Sequence, residues 1–260
     1  MRAMNIAATG MDAQQRNVEV ISNNIANLNT TAFKAQRAEF QDLIYQSLKR
    51  VGTQSSDAGT ILPSGIHLGT GVRTAAVYRI ISQGELLTTG NPLDVAIQGQ
   101  GYFSIQLPDG TIAYTRAGSF QANADGDLVT PEGYIVQPGI TLPTDAVSIT
   151  VNASGEIIST ASDETQTVLG QLELSTFLNP AGLSPLGGNL FLENEASGAP
   201  TTGVPGDTGF GTILGGALET SNVDIVSQIT NLITAQRAYE MNGKVIKAGD
   251  EMLQSTSQLS

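Results

Sequence analysis

The sequence predicts an α+β fold: N- and C-terminal helices form a coiled-coil domain, joined to a mostly antiparallel β central domain through an extended linker or hairpin. Three observations predict it. Apolar residues recur every seven positions at both ends of the chain. The middle alternates apolar and polar residues in short runs separated by turn motifs. Glycine reaches 29 of 260 residues, a composition that favours turns and short strands.

The first element is a helix over residues 3–28, the core of an N-terminal segment 1–31. Met4, Met11, Val18 and Ile25 fall seven apart, interleaved with Ala7, Gln14, Ile21 and Leu28. Such a repeat keeps one seam facing a partner helix when the two supercoil. Asn27, Asn29, Thr30 and Thr31 end it, being residues whose side chains bond the backbone in caps and turns.

Residues 32–71 then read as an extended linker or hairpin. Within it, Phe33 to Leu48 suits a helix through Phe33, Arg37, Phe40 and Ile44, and a strand through alternation at Lys34, Gln36 and Ala38. Gly52 to Gly71 is a long Gly- and Ser-rich loop or hairpin, of a length usually kept for function.

The β domain occupies 72–216. Val72, Thr74, Ala76, Tyr78 and Ile80 alternate, and short apolar runs follow at Leu93–Ile97, Tyr102–Leu107, Ile112–Thr115, Ile135–Gln137, Val147–Val151, Glu156–Ser159 and Val168–Phe177. Gly90-Asn91-Pro92, Pro108-Asp109-Gly110, Asp125-Gly126, Pro131-Glu132-Gly133 and Asn152–Gly155 supply the turns. Residues 194–216 read as an exposed connection.

A C-terminal helix fills 217–260, with Leu218, Ile225, Leu232, Tyr239, Ile246 and Leu253 seven apart and Ile229 in the offset row. Ser221 or Asn222 is positioned to cap it, and Asp224 suits the dipole of its first turn. Gly243 and Gly249 weaken a helix, so close neighbours are expected beside them. A private pair of helices would leave Val226, Ile233, Val245 and Met252 as a second apolar stripe. The inter-helix and inter-subunit packing residues are therefore Met4, Met11, Val18, Ile21, Ile25, Leu28, Leu218, Ile225, Ile229, Leu232, Tyr239, Ile246 and Leu253, in seams shared between copies.

Charge narrows the function. Residues 51–214 hold three Lys/Arg against fifteen Asp/Glu, which carries the whole net charge of −12, while the ends nearly balance. No cationic cluster exists to bind phosphates, so nucleic acid is excluded as a partner. Cysteine is absent, which removes thiol chemistry and Cys-based metal sites. No apolar run of about twenty residues spans a bilayer, and polar residues from Asn5 onward interrupt any cleavable export signal.

No catalytic, cofactor-binding or metal-binding residue stands out. His67, the single histidine, lies in the Gly-rich stretch without a nucleophile-elbow motif. Asn123-Ala124-Asp125-Gly126-Asp127 fails the calcium-loop pattern, which wants Gly at Leu128 and Glu at Tyr134. Gly99-Gln100-Gly101 lacks the third glycine and following helix of a dinucleotide site.

Three segments resemble the rod and hook axial proteins of the bacterial flagellum. Ser22-Asn23-Asn24-Ile25-Ala26-Asn27-Leu28-Asn29-Thr30-Thr31-Ala32-Phe33-Lys34 is similar to their N-terminal signature. Ser221-Asn222-Val223-Asp224, Gln236-Arg237-Ala238-Tyr239-Glu240 and Met252-Leu253 are similar to their C-terminal one. Thr89-Gly90-Asn91-Pro92-Leu93-Asp94, Gly101-Tyr102-Phe103 and Tyr114-Thr115-Arg116-Ala117-Gly118-Ser119-Phe120 resemble their central domain. The opening Met1 to Met11, the length and Phe177 to Leu183 point within the family to the distal rod. Ala32, Asp224 and Ser227 depart from the usual Gly, Asn and acidic residue, with consequences only for local packing.

The resemblance implies a non-enzymatic structural subunit of the distal rod, self-assembling into a stiff helical tube that transmits torque from motor to hook. Implied partners are further copies of itself, proximal rod proteins, the hook protein, the P and L ring proteins and the flagellar type III export apparatus. The implied location is the periplasmic rod of the basal body, reached without a cleaved signal peptide. A proximal rod or hook subunit is the alternative within the family, and a secreted cell-wall-binding or hydrolytic β domain the alternative outside it.

Overall fold

The computed structural model describes residues 2–49, 65–143 and 146–258. The chain divides into two compact units. A helix unit comprises Met1–Ala26, Gln36–Tyr78 and Asp224–Ser260, and a β unit comprises Asn27–Ala35 and Arg79–Val223.

In the helix unit, α1 spans Arg2–Ala26 and α2 spans Ile225–Gln258. The two run antiparallel, since Met4 lies beside Gly249, Gly10 beside Asn242 and Asn24 beside Gln228. Strand Gln36–Asp42 pairs with Val72–Arg79, and Tyr45–Lys49 pairs antiparallel with Ile66–Gly69. The open reading of Phe33 to Leu48 thus resolves to strand. Exposure alternates residue by residue from Gln36 to Phe40, the period of a pleated backbone rather than of a helix. Of the long loop expected at Gly52 to Gly71, residues 52–64 lie outside the described residues. His67 stands on strand Ile66–Gly69, opposite Ser47, and not in a loop.

The start of α2 corrects two expectations. Its cap is Asp224, whose carboxylate accepts the Val226 N–H at 3.1 Å and the Ser227 hydroxyl at 2.5 Å. Those bonds hold the Asp224 carboxyl below its usual pKa. Asn222 is unavailable for capping, since its side chain bonds within the β unit. Leu218 lies on strand Ala217–Glu219, not in the helix. Ala217 and Glu219 are buried and Leu218 between them is not, a period of two that seven-residue spacing cannot reveal.

The β unit contains a main sheet in the order Ser184–Gly187, Leu190–Leu192, Ile112–Thr115, Tyr102–Gln106, Ile135–Val136, Leu128–Val129 and Gln121–Ala122. Strand Tyr102–Gln106 divides its second edge. Ile105 and Gln106 face Val136 and Ile135, while Tyr102 and Phe103 face Ser175 and Leu174. A meander of Ala146–Val151, Glu156–Ala161 and Gln166–Gln171 lies outside that sheet, as do the pairs Val95–Gln98 with Thr212–Gly215 and Leu86–Thr88 with Ala217–Glu219. All these pairings are antiparallel.

Residues 194–216 are therefore not a plain connection, because Thr201–Gly203 and Thr212–Gly215 are paired strands. Among the turns, Gly110, Gly126, Gly133 and Gly155 take positive φ, the conformation that the turn motifs demand. The main core of the unit is centred on Val95, Ile97, Phe103, Ile105, Phe120, Leu128, Ile157, Leu172 and Leu174, and a smaller cluster gathers Tyr102, Tyr114 and Leu183. Phe103 and Phe120 meet edge-to-face at 5.1 Å within the main core.

Candidate assembly surface

Within the helix unit the seam between α1 and α2 is built from small and polar side chains. On α1 the buried residues are Ala7, Ala13, Ile21 and Asn24. On α2, Gln228, Leu232, Ala235, Ala238, Asn242, Gly243, Ile246 and Gly249 are the less exposed positions, most of them three or four residues apart, as the buried face of a packed helix requires. Small residues let the helices approach closely. A Cβ on Gly10 would stand 2.8 Å from Asn242 Nδ2, and one on Gly249 would stand 3.0 Å from Met4 Cγ. Gly243 has open space instead, so among the described residues the close neighbour expected there is absent.

Asn24 is the polar anchor of this seam. Only 1 % exposed, it donates to the Gln36 carbonyl at 2.8 Å and to Gln228 Oε1 at 3.3 Å, and accepts the Gln36 N–H at 2.8 Å. Its burial is compensated on both sides of the amide. Thr9 does a lesser version of the same work, accepting the Val72 N–H at 3.3 Å.

The residues singled out for packing divide into groups. Ile21 is buried, and Met4, Met11, Val18, Ile25, Leu232 and Ile246 are half-buried. Ile225, Ile229, Tyr239 and Leu253 remain exposed. Leu28 lies in the turn after α1, and Leu218 on its strand in the β unit. The second stripe is more open still. Val226 is 70 % exposed, and Ile233, Val245, Met241 and Met252 are exposed with it. A 34-residue helix that presents so many large apolar side chains carries the kind of surface that other chains cover.

The β unit gathers the family motifs into one buried cluster. Glu219, on strand Ala217–Glu219, accepts from Lys34 Nζ through Oε1 and from Arg116 Nε through Oε2, both at 2.5 Å. The side chains are at most 5 % exposed. Lys34 also donates to the Ser82 carbonyl at 2.9 Å, and Arg116 to the carbonyls of Gly99 at 2.5 Å and Gly101 at 3.0 Å. The Gly99-Gln100-Gly101 stretch is thus a carbonyl cradle for a guanidinium. Burial pushes the Lys34 ammonium below its usual pKa, opposed by its bond to Glu219 and reinforced by the Arg116 charge.

Next to this cluster, the Asn222 side chain accepts the Ala35 N–H at 2.7 Å and donates to the carbonyls of Ile80 and Ser82. Arg79 lies 4.4 Å over the Phe191 ring and donates to the Leu183 carbonyl. Gly118 is required because any Cβ there would fall 1.7 Å from the Val95 carbonyl oxygen. Sequence reasoning passed over Lys34 and Arg116 as site residues. Only Arg116 carried a signal by scarcity, since the acidic middle 51–214 holds only Arg73, Arg79 and Arg116, whereas Lys34 is one of six Lys/Arg in the first fifty residues.

Asp127 accepts the Thr141 hydroxyl at 2.8 Å, and Asn123 Oδ1 accepts the backbone N–H groups of Asp125 and Asp127, which makes this acidic stretch a hairpin turn. Among the described residues no group of His, Asp or Glu is placed to hold a metal ion, and no helix is long and apolar enough to cross a membrane.

Comparison with known proteins places the chain by sequence. Residues 4–34 match the family described as flagella basal body rod protein, residues 96–159 the flagellar hook protein FlgE/F/G D1 domain, and residues 214–259 the flagellar basal body rod FlgEFG protein C-terminal region. The chain is 58 % identical to the flagellar basal-body rod protein FlgG of Caulobacter vibrioides, over 100 % of this chain and 99 % of that one. It is 55 % identical to the protein of the same name from Agrobacterium fabrum, over 99 % of each. With that of Buchnera aphidicola from Schizaphis graminum it shares 49 %, over 98 % of each.

Proposed function

The chain belongs to the family of flagellar basal-body rod proteins FlgG, and on that premise we propose that its helix unit builds the inner tube of a helical polymer while its β unit forms the outer layer. It is a structural, non-enzymatic subunit of the distal rod, assembling with other flagellar rod and hook components. In our reading α1 and α2 supercoil with the helices of neighbouring copies. The packing residues are those of the heptads that lie on the helices: Met4, Met11, Val18, Ile21, Ile25, Ile225, Ile229, Leu232, Tyr239, Ile246 and Leu253.

The proposal extends to the setting. The subunit leaves the cytoplasm through the flagellar type III export apparatus without a cleaved signal. In the periplasm it stacks between proximal rod proteins and the hook protein, and turns inside the P and L ring proteins. The stiffness of the polymer transmits torque. The acidic middle, on this reading, supplies a hydrophilic exterior.

One observation carries the reading: the large apolar side chains of α2 that stay exposed in the single chain, Val226 above all. Exchanging Val226 and Ile233 together for Gln tests it. Both side chains are exposed, so the circular dichroism and melting temperature of the dilute protein stay unchanged. The straight tubes expected by electron microscopy of the parent protein at high concentration do not form. Tubes of normal yield from the double variant would overturn the reading.

A further inference from the structure

We infer that the β unit is latched by a residue from its own far end, closing only once Glu219 is in place. Glu219 is separated in sequence from Lys34 by 185 positions and from Arg116 by 103. It also accepts the Gly84 N–H at 2.8 Å through Oε1, and the Ala32 N–H at 2.8 Å through its backbone carbonyl. One side chain thus gathers the junction after the first helix, the stretch beyond Ser82 and the strand end at Arg116.

The charge balance makes this a latch rather than one contact among many. Two cations are buried against a single carboxylate, and among the described residues neither has another ion-pair partner. Without Glu219, closing the unit would bring Lys34 and Arg116 together in the interior with only carbonyl oxygens to face, and the two charges repel. A buried charge deprived of its partner is among the costliest single losses a fold can suffer. An amide cannot substitute, because one half of it turns an N–H toward a cation. The open form is therefore favoured until the strand Ala217–Glu219 arrives beside Leu86–Thr88. Closure of the β unit thus depends on a residue in the last fifth of the chain.

Native-state hydrogen exchange on the full chain tests the latch. In Glu219→Gln, amides far from the cluster, such as Ile105 and Leu172, lose protection together with Ala32 and Gly84, by about a hundredfold. In Lys34→Met, the Arg116–Glu219 pair stays balanced, and the distant amides keep their protection within about threefold. The double variant Lys34→Met with Glu219→Gln carries one excess cation instead of two, and regains about tenfold of the lost protection. Loss confined to Ala32 and Gly84 would overturn the latch, as would a double variant no better protected than Glu219→Gln. Should Glu219→Gln fail to fold, recovery of a folded double variant supports the inference and its absence refutes it.

Discussion

Replacing Gly243 by alanine should stabilise this protein, and the size of the gain can be worked out in advance. A glycine inside a helix costs about 1 kcal/mol relative to alanine, because its backbone loses more freedom on folding. That cost is recovered in full only where the new methyl meets nothing. At Gly243, apart from its own helix backbone, no atom of the described residues lies within 4 Å of the added Cβ. At Gly249 the methyl would touch Met4 Cγ at 3.0 Å, and at Gly10 it would press on Asn242, with Nδ2 at 2.8 Å and Cγ at 3.2 Å. The expected order of stability is Gly243→Ala, then Gly249→Ala, then Gly10→Ala. A gain of about 1 kcal/mol raises the melting temperature by roughly 2–4 °C for a chain of this size. Thermal melts followed by far-ultraviolet circular dichroism, on protein too dilute to polymerise, give the measurement. A Gly10→Ala variant that rises as much as Gly243→Ala would refute the argument, since it would show that helix propensity alone sets the effect and the packing of α1 on α2 does not.

Two further outcomes follow from the β unit. Gly118→Ala drives a methyl into the Val95 carbonyl and should cost at least about 3 kcal/mol, read as a lowered urea midpoint for the near-ultraviolet signal; an unchanged midpoint would show that the backbone yields there. Burial, joined by the charge and hydrogen bond of Glu193, pushes the Tyr114 phenol up to about 12 from 10.0. Because the folded value is the higher, its contribution to stability is complete below about pH 10 and is lost as pH rises toward 12. Tyr114→Phe should flatten the alkaline fall in stability across that window, and a variant that falls as steeply as the parent would contradict the assignment.

The parts of the fold that were legible in the sequence are those where one periodicity acts alone. Ile112–Thr115 was read with its observed boundaries, and the heptads located both terminal helices. The errors sit where two signals compete. Leu218 keeps the seven-residue phase of α2 but answers to the period of two on its strand. Ser221 and Asn222 have capping chemistry, yet Asn222 spends it on Ala35, Ile80 and Ser82, which no local window includes. The Gly- and Thr-rich stretch 194–216 looks like loop because its strands are short and pair outside the stretch, Thr201–Gly203 with Leu174–Thr176 and Thr212–Gly215 with the distant Val95–Gln98.

The exposed apolar stripe of α2 through Val226 and Ile233 was readable in outline. Its counterpart on the inside was not. The seam that α2 presents to α1 uses Ala235, Asn242 and Gly249 beside Leu232 and Ile246, so a search for large apolar residues finds the face left over rather than the face in use. The Lys34–Glu219–Arg116 cluster lay beyond reach for a different reason, since pairing across 185 and 103 positions leaves no trace in spacing.

The two units are interleaved along the chain, and this constrains how such a protein can be recombined. Residues 27–35 sit between α1 and strand Gln36–Asp42 in sequence, yet belong with Arg79–Val223. A chimera that takes its β unit as one continuous block from a relative leaves the host's Lys34 facing the donor's Glu219 and Arg116. Any exchange, whether made in the laboratory or by gene conversion, succeeds as a clean swap only when that nine-residue island travels with the block. The heritable module is thus a discontinuous one, and its smallest piece determines whether the rest can be transplanted.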